Sequence, residues 1–484
     1  MSSAAACARP AATTARTAVY QSRRPERTVV YQVVQRHLET WLEESRGHDP
    51  EGEPVPAYIE RDFRHYLTCG ILAHGFARAR CAGCGHDFLV AFACKGRGVC
   101  PSCTTRRMAE TAAHLVDHVL PQVQVRQWVL SLPKRLRYFL HHDPRLVNPV
   151  LRIFLAEVEA ALRAGSLDAP SGARFGAVTF VHRFGSALNA HLHFHCCVID
   201  GLFSAAAEGL RFHPACLTDQ ALAQVQRQTR RRVLQLFQRR ALLPEEATAL
   251  MLGWDHGGGF SVDAAVRVPA WDRAGLERLL RYCARPIFAS ERLAWAEFDE
   301  RLIYQLPKPR PDGRTMLSLT PLEFLDHLAA LIPPPRKHRH RYHGVLAPHA
   351  PLRAAVTAYA GLPLDGSADP LVPPAPAVSS GTADTPPAAH ARYLWVVLIA
   401  RIYEILPLIC PVCGSEMRLI AAVTEPEPVR RILRHVGEPT LPPPVSPARS
   451  PPLWDSVDWD QTPVTAPEHG EPAPEFQFDQ TVSW

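Results

Sequence analysis

The sequence predicts a mixed α+β protein with a zinc-binding module ahead of the main sheet and a smaller cysteine unit behind it. Three observations carry that expectation. Strand-like runs alternate with amphipathic helical runs from residue 125 onward, and cysteines recur as CxxC pairs. One apolar run, LNAHLHFHCCVIDG at 188–201, has a histidine at every second position from 191 to 195.

At 484 residues, 47% of them hydrophobic, the chain is long enough for several domains of about 100–200 residues each. Residues 1–25 are small and polar with arginines and no apolar stretch, so a disordered leader is expected rather than a signal peptide. No run approaches the roughly 18 apolar residues of a membrane span, which argues against a membrane partner. Net charge is +6, but residues 441–484 hold seven acids against one base, Arg449. A basic body with an acidic tail favours polyanion binding. Thirteen cysteines, many of them paired, fit metal binding in a reducing compartment, so a bacterial cytoplasmic, nucleoid-associated protein is expected.

Residues 28–48 place Val30, Val34, Leu38, Trp41 and Leu42 at helical spacing, and MAETAAHLVDHVLP is a helix that Pro121 ends. Together with the cysteines between them, these runs make 26–124 a helical and zinc-binding DNA-binding domain. WVLSL, FGAVTFVHRF and HLHFHCCVI are strands. LVNPVLRIFLAEVEAALRAG, TDQALAQVQRQTRRRVLQLFQRRALL and DRAGLERLLRYCARP are helices, and the whole defines a domain over 125–300. TPLEFLDHLAALIP and the basic RKHRHRYH form a helical and basic extension over 301–360. Seven prolines within 361–390 make a semi-rigid linker. Residues 391–440 are expected as a small ordered unit, and 441–484 as a disordered acidic tail.

Cys81-x2-Cys84 and Cys100-x2-Cys103, fifteen residues apart, are expected to hold one structural Zn²⁺ tetrahedrally. Cys94 is a fifth thiol that competes or packs, and Lys95, Arg97, Arg106 and Arg107 surround the site with positive charge. Cys410-x2-Cys413 has no second pair after it and is read as a weaker site.

Residues two apart on a strand share a face, so His191, His193 and His195 point one way while Leu192 and Phe194 enter a core. Imidazoles on one face make a metal platform, and His182 on the preceding strand is a candidate to complete it. Tyr282 lies on a helix among Arg278, Arg281 and Arg285, which are suited to hold a phosphate. Arg231 with its neighbours on the arginine-rich helix, and Arg339 and Arg341 in the basic segment, are further candidates for DNA-backbone contacts. Trp128 and Tyr342 are candidates for base stacking, with core packing the stronger expectation for Trp128.

Taken in order, CGHDFLVAFACKGRGVCPSC, RQWVLSLPKRLRYFL, RFGSALNAHLHFHCCVIDG, GLERLLRYCARP, LTPLEFLDHL and RKHRHRYHGVLAPHA resemble the transposases of rolling-circle insertion sequences (the IS-ninety-one group) over residues 30–355. CPVCGSEMRLIA is a further match. The resemblance implies a His-hydrophobe-His endonuclease fold: a central antiparallel sheet with flanking helices. It implies a catalytic Mg²⁺ or Mn²⁺ on His193 and His195, with His191 as the extra histidine, and Tyr282 as nucleophile. Arg278 stands where several relatives carry a second tyrosine, so the chain resembles the single-tyrosine branch. The expected activity is cleavage and rejoining of single-stranded DNA, at element ends and target, through a 5′-phosphotyrosine. A replication initiator or relaxase of the same fold is the alternative within enzymes, and a non-catalytic zinc-ribbon DNA-binding protein is the alternative outside them.

Overall fold

The computed structural model describes residues 23–47, 55–207, 209–255, 258–310, 312–360, 410 and 412–449. The expected linker 361–390, most of the leader and the tail from 450 lie outside the described residues. In chain order the elements begin with helices α1 (Val29–Gly47) and α2 (Ala57–Thr68), strands β1 (Phe76–Cys81) and β2 (Asp87–Ala91), and helix α3 (Pro101–His118). Strand β3 (Val125–Ser131) precedes α4 (Lys134–His142) and α5 (Val147–Gly165). Then come β4 (Gly176–Phe184), β5 (Ala190–Ile199), β6 (Gly201–Ala206) and β7 (Gly209–Pro214). Helices α6 (Asp219–Arg239) and α7 (Glu245–Gly253) lead to β8 (Ser261–Asp263), β9 (Arg267–Val268) and α8 (Arg273–Cys283). Strands β10 (Leu293–Trp295), β11 (Leu302–Gln305) and β12 (Met316–Leu319) run into α9 (Pro321–Leu331). The last elements are β13 (His340–Gly344), α10 (Arg353–Ala358), β14 (Met417–Val423) and α11 (Pro426–Val436). The architecture is a mixture of helices and sheets, and every strand pairing among the described residues is antiparallel.

The chain divides into two compact units. The smaller one draws on Thr68–Ala93 and Ser380–Pro443. Its sheet has the order β14-β1-β2, so the segment after Cys413 supplies a strand beside β1, paired from Phe76↔Val423 to Cys81↔Met417 with a register shift between Arg78 and Ala79. Helix α11 presents Val429 and Leu433, four residues apart and therefore on one face, to the buried ring of Phe76. It stops at Gly437, whose left-handed φ of 74° no β-carbon resists.

The larger unit is built on a six-stranded sheet, β13-β4-β5-β3-β8 with β9 also on β3. Alternation along the strands sends side chains to two cores. Trp128, Leu130, Leu192 and Phe194 pack with Phe154, Val158, Val233 and Phe237 of α5 and α6. Val125, Val178, Phe180, Cys197 and Ile199 pack on the other face with Leu115 of α3 and Leu276 and Leu280 of α8. The predicted alternation of β5 is therefore what the sheet uses. Trp128 is fully buried, edge-on to Phe154 at 6.4 Å, so it is a core residue and not a base-stacking one.

A buried ion pair locks the end of this sheet. Arg126 grips Asp200 through Nε (3.0 Å) and Nη2 (2.8 Å), and Gln124 donates to the same carboxylate at 2.7 Å. Removing one partner of such a pair typically costs about 3–5 kcal/mol, because the other charge stays buried and unmatched. Gly201 follows because a β-carbon there would lie 2.4 Å from the His213 carbonyl oxygen. The acidic tail expected to be disordered from 441 starts as an ordered strap. Gln35 donates to the Pro444 carbonyl (2.7 Å), and the amides of Ser446 and Arg449 donate to Gln35 O (2.9 Å) and Thr40 Oγ1 (3.0 Å). Those hydrogen bonds to α1 make up for the scarcity of apolar side chains in the segment.

Candidate active site and metal centres

On the α8 face of the main sheet, His182 from β4 and His193 and His195 from β5 are all buried, with candidate ligand nitrogens within 4.8 Å of one another. The trio follows from register. His182 sits directly opposite His193, and cross-strand partners stand about 4.5–5.5 Å apart, closer than residues two apart along one strand. That is why His182 joins the pair and His191 does not. His191 instead contacts Arg137 of α4, Nδ1 to Nη1 at 2.5 Å. Where the sequence reading expects His191, His193 and His195 to share a metal, the structure gathers His182, His193 and His195 instead.

Each ring of the trio has one nitrogen engaged in a way that leaves the other as a lone pair. His182 Nε2 donates to the Cys283 carbonyl at 2.6 Å, and His193 Nδ1 donates to the His191 carbonyl at 3.0 Å. His195 Nδ1 lies 2.9 Å from the Gln127 amide. A carboxamide can be turned either way, and with its oxygen toward the ring Gln127 accepts the Nδ1 hydrogen. His182 Nδ1 and His195 Nε2 are buried with no hydrogen-bond partner among the described residues. Burial pushes all three imidazoles toward the neutral form, His193 to about 4, with Arg285 adding to the shift in each. Neutral rings with inward lone pairs, each held by a second hydrogen bond, are what a divalent cation requires of imidazole. The residues fit the ion that the resemblance implies.

Tyr282 is on the same face. Its half-buried ring stands edge-on to His195, centroids 5.6 Å apart. Helix α8 is positioned by Leu276, Leu279, Leu280 and Cys283, buried at helical spacing. The Asp272 side chain caps it by accepting from the Gly275 amide at 2.7 Å. Of the three expected phosphate-holding arginines, only Arg285 faces this centre, its guanidinium 4.4 Å from the Tyr282 ring. Arg281 pairs with Glu277 at 2.5 Å, and Arg278 is exposed, 3.8 Å from Asp272.

A cleft whose wall includes Phe184, the ring stacked on His182 at 5.0 Å, is also lined by Arg183, Lys337, Arg339 and Arg341 and by no acidic residue. Arg339 is largely buried and donates to the Arg97 and Arg285 carbonyls, so its charge also braces the cleft. Arg341 contacts Asn148. Arg231 is exposed, whereas its neighbours Arg230 and Arg232 are tied to the Trp254 carbonyl and to Glu157. Tyr342 lies beneath the Arg353 guanidinium and packs against the core, so it is not a stacking surface.

The cysteines regroup. Cys81 and Cys84 meet Cys410 and Cys413, with Sγ–Sγ distances of 3.4 Å (Cys81 to Cys413) and 3.6 Å (Cys84 to Cys410). Tetrahedral Zn–S bonds of ~2.3 Å put sulfurs ~3.8 Å apart, so the quartet matches Zn²⁺ and is far wider than a disulfide. Ser415 draws the Cys413 thiol down to about 6, toward the thiolate a metal needs. Cys100 and Cys103 belong to the larger unit, at the start of α3, where they gather with Cys94; Cys94 and Cys103 sulfurs are 3.6 Å apart. The single site expected from Cys81, Cys84, Cys100 and Cys103 is thus corrected, and the pair Cys410 and Cys413 is a full half of the quartet. A signal was present: CAGCG and CPVCG both carry a trailing glycine, and Gly85 and Gly414 both take left-handed φ (75° and 72°). Cys100-x2-Cys103 runs into a helix instead. The expected basic surround is partly consumed internally, Arg106 by Glu110 and Arg107 by the Lys95 carbonyl.

Two family models match the chain: one described as "Putative transposase" over residues 176–353, and one described as "Transposase zinc-binding domain" over residues 33–132. No curated protein and no solved structure matches it. The first match spans the histidine trio, Tyr282 and Arg285, and the second spans Cys81, Cys84, Cys94, Cys100 and Cys103. Among the described residues no helix is long and apolar enough to cross a membrane.

Proposed function

The chain belongs to the IS91-type transposases, and on that premise we propose that it cuts and rejoins single-stranded DNA by tyrosine transesterification during rolling-circle transposition. One observation carries the reading: the Tyr282 ring stands 5.6 Å from that of His195, on the face where three buried imidazoles converge. A Mg²⁺ or Mn²⁺ ion held by His182, His193 and His195 would polarise the scissile phosphate. The Tyr282 oxygen attacks phosphorus in line and loses its proton, the P–O3′ bond breaks, and the 3′ oxygen takes up a proton. The 5′-phosphotyrosine retains the energy of the broken bond, so a target 3′-hydroxyl reverses the step without ATP. Arg285, over the tyrosine ring, is placed to hold the phosphate on the attacking side. The basic cleft bounded by Phe184 supports strand binding by Arg183, Lys337 and Arg341. The transposase match over 176–353 favours this reading over a replication initiator.

The test is a labelled single strand incubated with Mn²⁺ and run on a denaturing gel. The wild type should give a shifted covalent species. Tyr282→Phe should give none while binding the strand with similar affinity, and His193→Ala with His195→Ala should remove Mn²⁺-dependent cleavage. Adducts persisting in Tyr282→Phe would move the nucleophile elsewhere and overturn the reading.

A further inference from the structure

Helix α4, KRLRYFLHH, has a face that neither the fold nor the proposed chemistry uses. Leu136 and Leu140 are buried, and Phe139 packs edge-on to Phe237 at 5.9 Å. The opposite stripe is exposed: Lys134, Arg135, Tyr138 and His142, spaced three and four apart so that they line up along the helix. Tyr138 is 60% exposed, and its ring lies against that of His142, centroids 4.1 Å apart at 37°. The helix contains no acid, and Asp143 beyond its end is taken up by Arg145. Among the described residues neither Lys134 nor Arg135 has an ion-pair partner.

The position is as telling as the composition. Arg137, one step around the same helix, reaches His191, and the His191 ring meets the His193 ring at a centroid distance of 5.0 Å. Through Arg137 the helix is therefore tied to the start of the strand that carries His193 and His195. An open aromatic pair bordered by unpaired cations suits a chain that offers both flat π-faces and phosphates, and single-stranded nucleic acid offers both. A duplex hides its base faces, and an acidic protein segment would use the cations but not the ring.

We propose that this stripe is a ledge for the single strand flanking the scissile phosphate, on which a base stacks against Tyr138 while Lys134 and Arg135 hold adjacent phosphates. It rests on the single-strand substrate of the proposed function, but it concerns binding and not bond cleavage.

The experiment measures affinity of the full-length protein for a fluorescent single-stranded oligonucleotide, by anisotropy, without divalent metal. Tyr138→Ala should weaken binding by about 5- to 150-fold, the range of one base–aromatic stack. Tyr138→Phe, which keeps the ring and drops the hydroxyl, should bind within about twofold of wild type. Lys134→Ala with Arg135→Ala should flatten the salt dependence by about 0.7 in the log–log slope per lost phosphate contact. Duplex affinity should be unchanged by either Tyr138 substitution. Wild-type affinity in Tyr138→Ala would overturn the ledge. An equal loss in Tyr138→Phe and Tyr138→Ala would also overturn it, by pointing to the hydroxyl. Because no cleavage is read, failure of the tyrosine chemistry would appear in the adduct assay and leave this measurement standing.

Discussion

The histidine trio and the cysteine quartet each gather metal-seeking atoms within 4.8 Å of one another, yet they are assembled in opposite ways. The trio comes from adjacent strands of one sheet, with ligands separated by at most thirteen residues of sequence. Its geometry is supplied by strand register, and its rings are fixed by Gln127 and by two carbonyls before any ion arrives. The quartet joins residues 326 and 332 apart in the sequence. One strand pairing, a small apolar cluster of Ala79, Cys81, Cys410 and Met417, and the packing of Val429 and Leu433 on Phe76 hold its halves together. The lesson is that the trio is arranged by a sheet that its neighbours already hold, so an ion proposed there would add to a finished scaffold, whereas zinc on the knuckles would be part of the scaffold.

The largest effect should fall on the knuckles. Cys410→Ser with Cys413→Ser should release zinc and expose β1 and β14 to protease, since structural zinc contributes on the order of 10–16 kcal/mol. Mn²⁺ binding at the trio should survive. The contrast breaks if zinc content and protection are unchanged, or if the double variant loses Mn²⁺ as well.

An intermediate effect is expected at Gln127. Gln127→Leu removes the acceptor for His195 Nδ1 and should weaken Mn²⁺ binding about 10- to 100-fold, with the melting temperature of the metal-free protein nearly unchanged. Gln127→Glu, which keeps an acceptor oxygen, should restore binding. Titration of Mn²⁺ by electron paramagnetic resonance reads this directly. A loss that Glu does not rescue would make Gln127 merely a packing residue.

The smallest effect concerns an imidazole of the same sheet outside the trio. His343 on β13 is pushed down to about 4, first by burial and then by Arg341. Its folded value lies below the unfolded one of about 6.5, so at neutral pH neither state is protonated. As pH falls from 6.5 toward 4 the unfolded chain takes up a proton that the folded one resists, and stability declines through that window. His343→Gln should make the melting temperature fall less steeply between pH 6.5 and 4. Identical slopes would mean that burial of this ring costs the fold nothing.

Much of the sheet side was legible in the sequence because its information is local. The period-two alternation of β5 announced both its histidine face and its core face, whereas Tyr282 was singled out by the family resemblance and not by the pattern of its helix. His182 was legible only as a candidate, because choosing it over His191 requires the cross-strand register, which no single strand encodes. The cysteines misled for the same reason in stronger form. Spacing rewards neighbours in sequence, and the nearest pair to Cys81 and Cys84 was taken as the partner when β14 brings a better-matched knuckle from far away. Arginine roles were the least legible: Arg281, one turn from Glu277, pairs with it, whereas Arg285, past the end of the helix, lies over the Tyr282 ring.

The strand pairing of β1 with β14 also sets an order of assembly. At about 5–20 residues per second of synthesis, the 326 residues between Cys84 and Cys410 take roughly 15–65 s to emerge. Throughout that interval the first two thiols wait with half a coordination shell, and a message cut short anywhere before codon 410 yields a product that never completes it. Completing the quartet therefore requires a chain made at least as far as Cys413.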